Sequence, residues 1–304
     1  MPRTFYGPIG ERHNTYAFEG NANRGPQPMG HILIAPDNRE FRYVLNDGTV
    51  EVAGNLYQSV ATVGNHSNVV ADVARAVGAT AISATLGATA AAIDIYAEGT
   101  VTTTDAAGEG YTHRIKRAMT AGAANAQADA SAVLTVSLEA GETVQVALTA
   151  ATSEVTFARN RYHAVLIQPS PPTARPTGVS PGIAAANRYY WEQTKGQAAV
   201  LGDGTLLDGL PVMASIGTDG AVENYKRRVV TGGTTALVTT ASHAVLRVTD
   251  QDGTTTGAFI VVSTAQATGA IDISAGIANN APIVGICQNA RASTEYSVIE
   301  LNIV

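Results

Sequence analysis

Short runs in which apolar and polar residues alternate recur along most of the chain, and turn residues separate them. Segments 32–34 and 41–45 lie on either side of the turn 36–38, and similar runs follow up to the C-terminal stretch 297–304. Because successive side chains of a strand point to opposite faces of a sheet, this alternation indicates strands with one buried face. Short strands at regular intervals are typical of sandwiches and small barrels. The sequence therefore predicts an all-β fold.

One segment, 68–77, departs from the alternation. Its apolar residues include Val69, Val73 and Val77, which recur at helical spacing, and Asn68 stands where a helix cap would stand. Residues three and four apart share one face of a helix, so this spacing predicts a helix within the first β-domain.

Changes in composition divide the chain into four parts. Proline is concentrated between 169 and 182, which favours an extended, polyproline-like linker. We therefore expect two small β-sandwich or β-barrel domains joined by this linker. The predicted division is an extended N-terminal arm with short strands at 1–56, a β-domain at 57–168, the linker at 169–182, and a small barrel with inserted hairpins at 183–304.

The first thirty residues are rich in glycine and proline and show no apolar period, which argues against a helix or a sheet. They nevertheless carry four large aromatic side chains, which a freely disordered tail would not need. We interpret these residues as anchors of an arm that lies on its own domain or, as we favour, on a neighbouring subunit. The anchors are Phe5, Tyr6, Tyr16 and Phe18.

Composition adds a constraint on partners. Charged residues are 14% of the chain, against roughly 25% in an ordinary soluble domain. A low surface charge fits a protein that hides surface in an assembly. The net charge of −6 lacks the basic excess by which nucleic-acid binders neutralise phosphates, so nucleic acid is not an expected partner.

The chain has one cysteine, Cys287, so no disulfide can form within it. Cys287 lies in an apolar run, 282–287, where we expect a buried strand position. No stretch of 18 apolar residues is present, and no apolar signal region follows Met1. We therefore expect a protein that is made in a cytoplasm and does not enter a membrane.

The sequence contains no recognisable catalytic or metal-binding pattern. The six histidines are isolated from one another, and neither a phosphate-binding glycine loop nor a G-x-S-x-G elbow occurs. The segment 250–253 fits a hairpin turn better than a calcium loop. Glu98, Asp105 and Glu109 are interpreted as an acidic turn that faces solvent. The histidines are His13, His31, His66, His113, His163 and His243. We accordingly expect that the protein is not an enzyme and binds no cofactor and no metal ion.

Several stretches resemble segments of head and decoration (cement) proteins of tailed bacteriophages. They are the Tyr-Tyr-Trp-Glu-Gln-Thr stretch with its following glycine turn at 189–204, the segment 208–213, the C-terminal Ala-Pro-Ile-Val-Gly-Ile stretch at 281–290, and the shorter segments 42–46, 96–99 and 108–115. The resemblance implies a structural virion protein that binds the outside of the capsid, often as a trimer, and stabilises the shell. The expected partners are then the major capsid protein and further copies of the chain, and the expected location is the exterior of the virion.

Three other interpretations remain open at this stage. A receptor- or glycan-binding fibre or baseplate protein would need exposed aromatic residues, for which the segment 189–191 is the best candidate. A hydrolase would need catalytic residues brought together only by the fold. A major capsid protein would need a long amphipathic spine helix, for which no pattern is present.

Overall fold

The computed structural model describes residues 27–225 and 282–303, together with the backbone of three strands at 229–231, 243–249 and 255–263. Within this part of the chain the regular structure consists of strands and one turn of 3-10 helix. The predicted all-β class is therefore confirmed. The four aromatic residues proposed as arm anchors lie outside the described residues, as does the segment 250–253.

The strands are short apart from β12. Their bounds are β1 Ile32–Ile34, β2 Glu40–Asn46, β3 Leu56–Gln58, β4 Val69–Val70, β5 Ala81–Thr85, β6 Thr100–Asp105, β7 Thr112–Arg114, β8 Val133–Ser137, β9 Glu154–Ala158, β10 His163–Ile167, β11 Pro176–Val179, β12 Tyr189–Leu201, β13 Pro211–Ala214, β14 Val222–Asn224, β15 Val229–Thr231, β16 His243–Thr249, β17 Thr255–Ser263, β18 Ile283–Asn289 and β19 Tyr296–Asn302, and the 3-10 turn is Gly64–His66.

The main sheet has ten strands in the order β1-β2-β10-β3-β11-β12-β19-β18-β13-β14, and β2 pairs additionally with β12. This extra pairing closes β2, β10, β3, β11 and β12 into a ring, which we call the strand ring. The N-terminal half of β12 pairs antiparallel with β2, with Trp191 opposite Tyr43. Its C-terminal half pairs with β19, with Ala198 opposite Ile299. A single long strand thus belongs both to the ring and to the sheet that extends from it.

Gly196 lies where β12 passes from one partner to the other. Its φ is +84°, in the left-handed region that glycine adopts without a Cβ penalty. A Cβ at this position would also lie 2.7 Å from Cγ of Arg39. The register with β2 shifts just before it, between Gln193 and Lys195. The glycine therefore permits the local irregularity at which the strand changes partner.

Residues 59–162 form a unit inserted into the main sheet. The flanking strands β3 and β10 pair with each other, so the chain leaves and re-enters the sheet at neighbouring positions. This inserted unit contains the four-stranded sheet β4-β9-β6-β7 and the pair β5-β8. Its core is a separate cluster of buried side chains that includes Ile82, Ile115, Leu134 and Phe157. A second large cluster, which includes Leu56, Leu206 and Leu301, draws its side chains from strands of the main sheet and the loops between them.

The helix predicted for 68–77 is wrong. The chain there forms β4 and then two isolated antiparallel bridges, from Ala71 to Ala84 and from Arg75 to Leu148. Val69 is buried, whereas Val73 and Val77 are exposed, so the valines do not share one buried face. Spacing alone suggested the helix, and pairing with distant segments determined the strand.

The proline-rich segment 169–182 contains strand β11, and all four residues of this strand are buried. β11 pairs with both β3 and β12 and therefore forms one side of the strand ring. Strands β1 and β2, which fall within the predicted arm 1–56, likewise belong to the main sheet. The backbone of β15, β16 and β17 forms a three-stranded sheet of its own.

Candidate functional site

The described chain begins at Gln27, and polar contacts hold it there against the inserted unit. Arg117 Nη2 donates a hydrogen bond to the carbonyl oxygen of Gln27 at 2.7 Å. The amide of Met29 donates to Glu98 Oε2 at 2.6 Å. Glu98 Oε1 and Arg117 Nε are themselves paired at 2.9 Å. We call this arrangement the Glu98–Arg117 clamp; it fixes the point at which the N-terminal segment joins the body.

Local backbone geometry sets the position of Glu98. The residue has a φ of +59°, and Gly99 follows it directly before β6. A Cβ on Gly99 would lie 2.2 Å from the carbonyl oxygen of Ala158, so only glycine fits between β6 and the end of β9. Asn160 Nδ2 donates to the carbonyl of Glu98 at 3.1 Å and holds the turn from the other side.

The interpretation of Glu98 as part of a solvent-facing acidic turn is wrong. Its side chain is 1% exposed, whereas Asp105 and Glu109 are exposed at the opposite end of β6. A buried carboxylate requires a partner to offset its lost hydration, and Arg117 supplies one from a distant segment. Glu98, Asp105 and Glu109 are close in sequence, which suggested one shared turn. No local sequence pattern indicates that Glu98 pairs with Arg117.

A cleft of about 500 Å³ opens beside the clamp, between the strand ring and the inserted unit. We call it the entry cleft; its lining includes Leu45, Asp47, Ile93, Met119, Ala121 and Tyr189. Ile93 and Met119 are 50% and 62% exposed, so both present apolar surface to the opening. The cleft is thus a largely apolar depression, and its lining residue Ala118 directly follows Arg117 of the clamp.

Two glutamates are buried where the strand ring meets the segment that follows β2. Glu51 and Glu192 are both 0% exposed. The hydroxyl of Tyr190 donates to Glu192 Oε1 at 2.5 Å, and the hydroxyl of Tyr57 accepts from the amide of Val52 at 2.7 Å. The hydroxyls of Tyr57 and Tyr190 are the polar groups that act on the Glu51 carboxyl.

This burial changes the protonation of the pair. Loss of hydration, together with the nearby charge of Glu192, raises the pKa of Glu51 to about 9, against the opposing effects of the Tyr57 and Tyr190 hydroxyls. Loss of hydration also raises the pKa of Glu192 to about 7, against the opposing effects of the Tyr190 and Thr177 hydroxyls and the positive charge of Arg161. Burial likewise raises the pKa of Tyr190. Glu51 is therefore neutral at pH 7, and Glu192 titrates near it.

The other residues singled out in the sequence have structural positions. Cys287 is 0% exposed, as predicted, and burial raises the pKa of its thiol. Trp191 is 4% exposed and packs against Tyr43 and Tyr189 on the outside of the strand ring. His66 is buried, with Nδ1 bonded to the hydroxyl of Tyr96. Across the described ranges, no three His, Cys, Asp or Glu side chains lie close enough together to hold a metal ion.

Comparison with known proteins found no matching family model, no similar curated protein and no similar solved structure. In the part of the chain that the structure describes, no helix has the length and apolar character needed to cross a membrane. The fold and the contacts of its own residues therefore carry the functional argument.

Proposed function

We propose that the chain is a structural virion protein of a tailed bacteriophage, which binds the outer surface of the capsid and bridges its subunits. The observation that carries this proposal is the Glu98–Arg117 clamp. A cement protein needs a rigid body and a reaching segment with a fixed origin, because adding a second contact to a tethered segment raises the overall affinity. Here a β-body holds the N-terminal segment at Gln27 and Met29.

The proposed capsid contacts are the four aromatic residues that precede the clamp in the sequence: Phe5, Tyr6, Tyr16 and Phe18. Phe5 and Tyr6 precede Gln27 by about twenty residues, a length of chain that can extend by up to about 70 Å. Aromatic side chains are enriched in the buried centres of protein interfaces. The low charged fraction of 14% also favours a protein with much of its surface in contact with neighbours.

Cosedimentation with capsids tests this function. Purified protein is mixed with capsids of the encoding phage that lack it, and its mass in solution is measured by light scattering. The proposal expects saturable binding, by a trimer, and loss of at least tenfold in affinity when Phe5→Ser and Tyr6→Ser are combined in the full chain. Tyr111→Ser is the matched control, because Tyr111 is an exposed aromatic residue of the inserted unit. Absence of binding by the unaltered protein would overturn the proposal.

One observation favours a second function, recognition of glycans by a fibre or baseplate protein. Tyr296 is 47% exposed and lines a groove of about 450 Å³ together with Arg39 and the exposed Gln197. An exposed aromatic ring beside amide and guanidinium groups is suited to stacking and hydrogen bonding with a sugar. In contrast, the segment 189–191 is buried and cannot present its rings to a ligand.

A glycan array separates the two functions. Binding of a defined glycan that is lost on Tyr296→Ala, without capsid binding, would favour the receptor-binding function. Tyr111→Ala again serves as the control, since it removes an exposed ring outside the groove.

A further inference from the structure

A small pocket lies where the inserted unit joins the main sheet. Its volume is about 190 Å³, and its lining comes from segments 59–63 and 157–161 together with Tyr96. Segment 59–63 directly follows β3, and segment 157–161 runs from the end of β9 towards β10. Both connections between the inserted unit and the main sheet therefore border one space, which we call the junction pocket.

The charge that faces the junction pocket is positive. Arg159 and Arg161 both line it, and none of its described lining residues is acidic. Both side chains are partly buried, and loss of hydration lowers the pKa of each guanidinium. The positive charges of Arg175 and Arg42 act in the same direction on Arg161. Four arginines are thus concentrated in and around this pocket of a chain whose net charge is −6.

The groups around the two arginines offset little of this charge. Within the described ranges, no carboxylate forms an ion pair with either guanidinium. Burial raises the pKa of Tyr96, the neighbour of Arg159, to about 12, so its hydroxyl is neutral at pH 7. Glu192 is the acid whose charge acts on Arg161, and burial raises its pKa to about 7, so it is partly protonated at that pH. Partly buried charges of this kind favour a counterion.

The guanidinium of Arg161 is held in place and retains donors for a ligand. Its Nη2 donates to the carbonyl oxygen of Pro176 at 2.8 Å, and it lies 5.0 Å from the ring centre of Tyr162. Its Nε has no hydrogen-bond partner among the described residues. Because a guanidinium carries several N–H donors in a rigid, planar fork, the contact with Pro176 leaves others for an anion.

The volume of the pocket limits the size of that anion. About 190 Å³ is several times the volume of one water molecule, roughly 30 Å³, but below the roughly 300 Å³ at which pockets for drug-sized ligands begin. Arginine forks match the oxygens of phosphate in geometry and charge. A small oxyanion with up to two negative charges therefore fits two guanidiniums in this space.

We propose that the junction pocket binds a small oxyanion of the phosphate class between Arg159 and Arg161. The bound anion offsets the repulsion between the arginines and contacts both segments that connect the inserted unit to the main sheet. It thereby stabilises the join between these two parts of the molecule. The proposal is independent of capsid binding, because the isolated protein is sufficient to test it.

Calorimetric titration of the full chain with sodium phosphate at pH 7, with the ionic strength held constant by sodium chloride, provides the test. The expected result is binding at a single saturable site. Arg159→Gln and Arg161→Gln should each weaken this binding by at least about tenfold, because each removes charged hydrogen-bond donors. Arg114→Gln is the matched control, because Arg114 is exposed on β7 and does not line the pocket; it should leave the affinity unchanged.

A second variant keeps both arginines and the contact with Pro176. Thr62 is exposed and belongs to the lining segment 59–63, so Thr62→Glu places a carboxylate at the pocket in competition with the anion. Phosphate binding should again weaken by at least about tenfold. Thr152→Glu, at an exposed site outside the pocket, should leave it unchanged. This pair of variants decides the question if Arg161→Gln prevents folding.

Three results would overturn the proposal. The first is the absence of saturable phosphate binding by the unaltered protein. The second is an equal loss of affinity in the pocket variants and in their controls, which would place the anion elsewhere on the surface. The third is binding of acetate as tightly as phosphate, which would assign the pocket to carboxylates.

Discussion

At the scale of single residues, the buried carboxyl pair couples stability to pH. Glu51 has a folded pKa of about 9 and Glu192 one of about 7, both above the ordinary value of 4.5. The folded protein therefore retains protons that the unfolded chain has released. This contribution favours folding fully below about pH 4.5 and is lost as the pH rises, through about 7 for Glu192 and about 9 for Glu51.

Replacing Glu51 by glutamine should reduce this pH dependence. The amide has nearly the shape of the neutral acid but does not ionise. Between pH 5 and pH 8 the unaltered protein should lose up to about 4 kcal/mol more of its free energy of unfolding than the variant does. Urea denaturation at the two pH values measures the difference. Glu109→Gln at an exposed site should leave the dependence unchanged. Parallel curves for the Glu51→Gln variant and the unaltered protein would show that Glu51 ionises normally in the fold.

The Glu98–Arg117 clamp should contribute far more to stability than an exposed ion pair. Glu98→Ala leaves Arg117, whose side chain is only 20% exposed, without its carboxylate, and should lower the free energy of unfolding by about 3 kcal/mol. The control is Asp37→Ala, which removes the 2.7 Å pair with Arg39 at the surface and should cost less than about 1 kcal/mol. Equal losses in urea denaturation would mean that the clamp is no stronger than a surface pair.

At the scale of elements, the β2–β12 pairing depends on aromatic packing along its outer face. The rings of Tyr43 and Trp191 lie 5.1 Å apart, and those of Tyr43 and Tyr189 are stacked at 5.5 Å. Cross-strand aromatic pairs stabilise a sheet beyond the area they bury. These contacts help to hold closed the strand ring that the backbone defines.

Trp191→Ala should therefore destabilise the protein by about 3–5 kcal/mol, because it leaves a large cavity at a site that is 4% exposed. Thermal or urea denaturation measures the loss. Tyr111→Ala, at a 43% exposed position, should change stability by less than about 1 kcal/mol. A small loss at Trp191 would indicate that neighbouring side chains collapse into the space.

Alternation in the sequence predicted most of the strands but not how they pair. The runs 32–34 and 41–45 became β1 and most of β2, because alternation is a local property. The closure of the ring by β2 and β12 joins segments 155 residues apart, as in the contact of Lys195 with Glu40, and no local pattern specifies it. The clamp was missed for the same reason, since Glu98 and Arg117 meet only in the folded chain. The four predicted arm anchors remain predictions.

At the scale of the whole molecule, the two large cores share none of the residues that the structure describes. Leu134 belongs to the core of the inserted unit, and Leu301 belongs to the core that also contains Cys287. Separate cores permit separate local unfolding, in which the thiol becomes accessible only when its own core opens.

Labelling of Cys287 by a water-soluble thiol reagent should distinguish these openings. The native thiol should react slowly. Leu301→Ala should speed labelling by about 30-fold or more, as expected from a loss of at least about 2 kcal/mol at a buried leucine. Leu134→Ala, at an equally buried leucine, should leave the rate within about twofold. Equal acceleration by both substitutions would show that the two cores open as one cooperative unit.

The closed strand ring has a consequence for synthesis on the ribosome. Strands β1 and β2 emerge early, but their partner β12 begins only at Tyr189. At a synthesis rate of about 5–20 residues per second, roughly 7–30 s pass between the synthesis of β2 and that of β12. The inserted unit, whose sheets pair only among β4 to β9, can complete its own pairing during this interval. Until β12 is made, the edge of Glu40–Asn46 that faces β12 lacks its partner and is open to pairing with other chains.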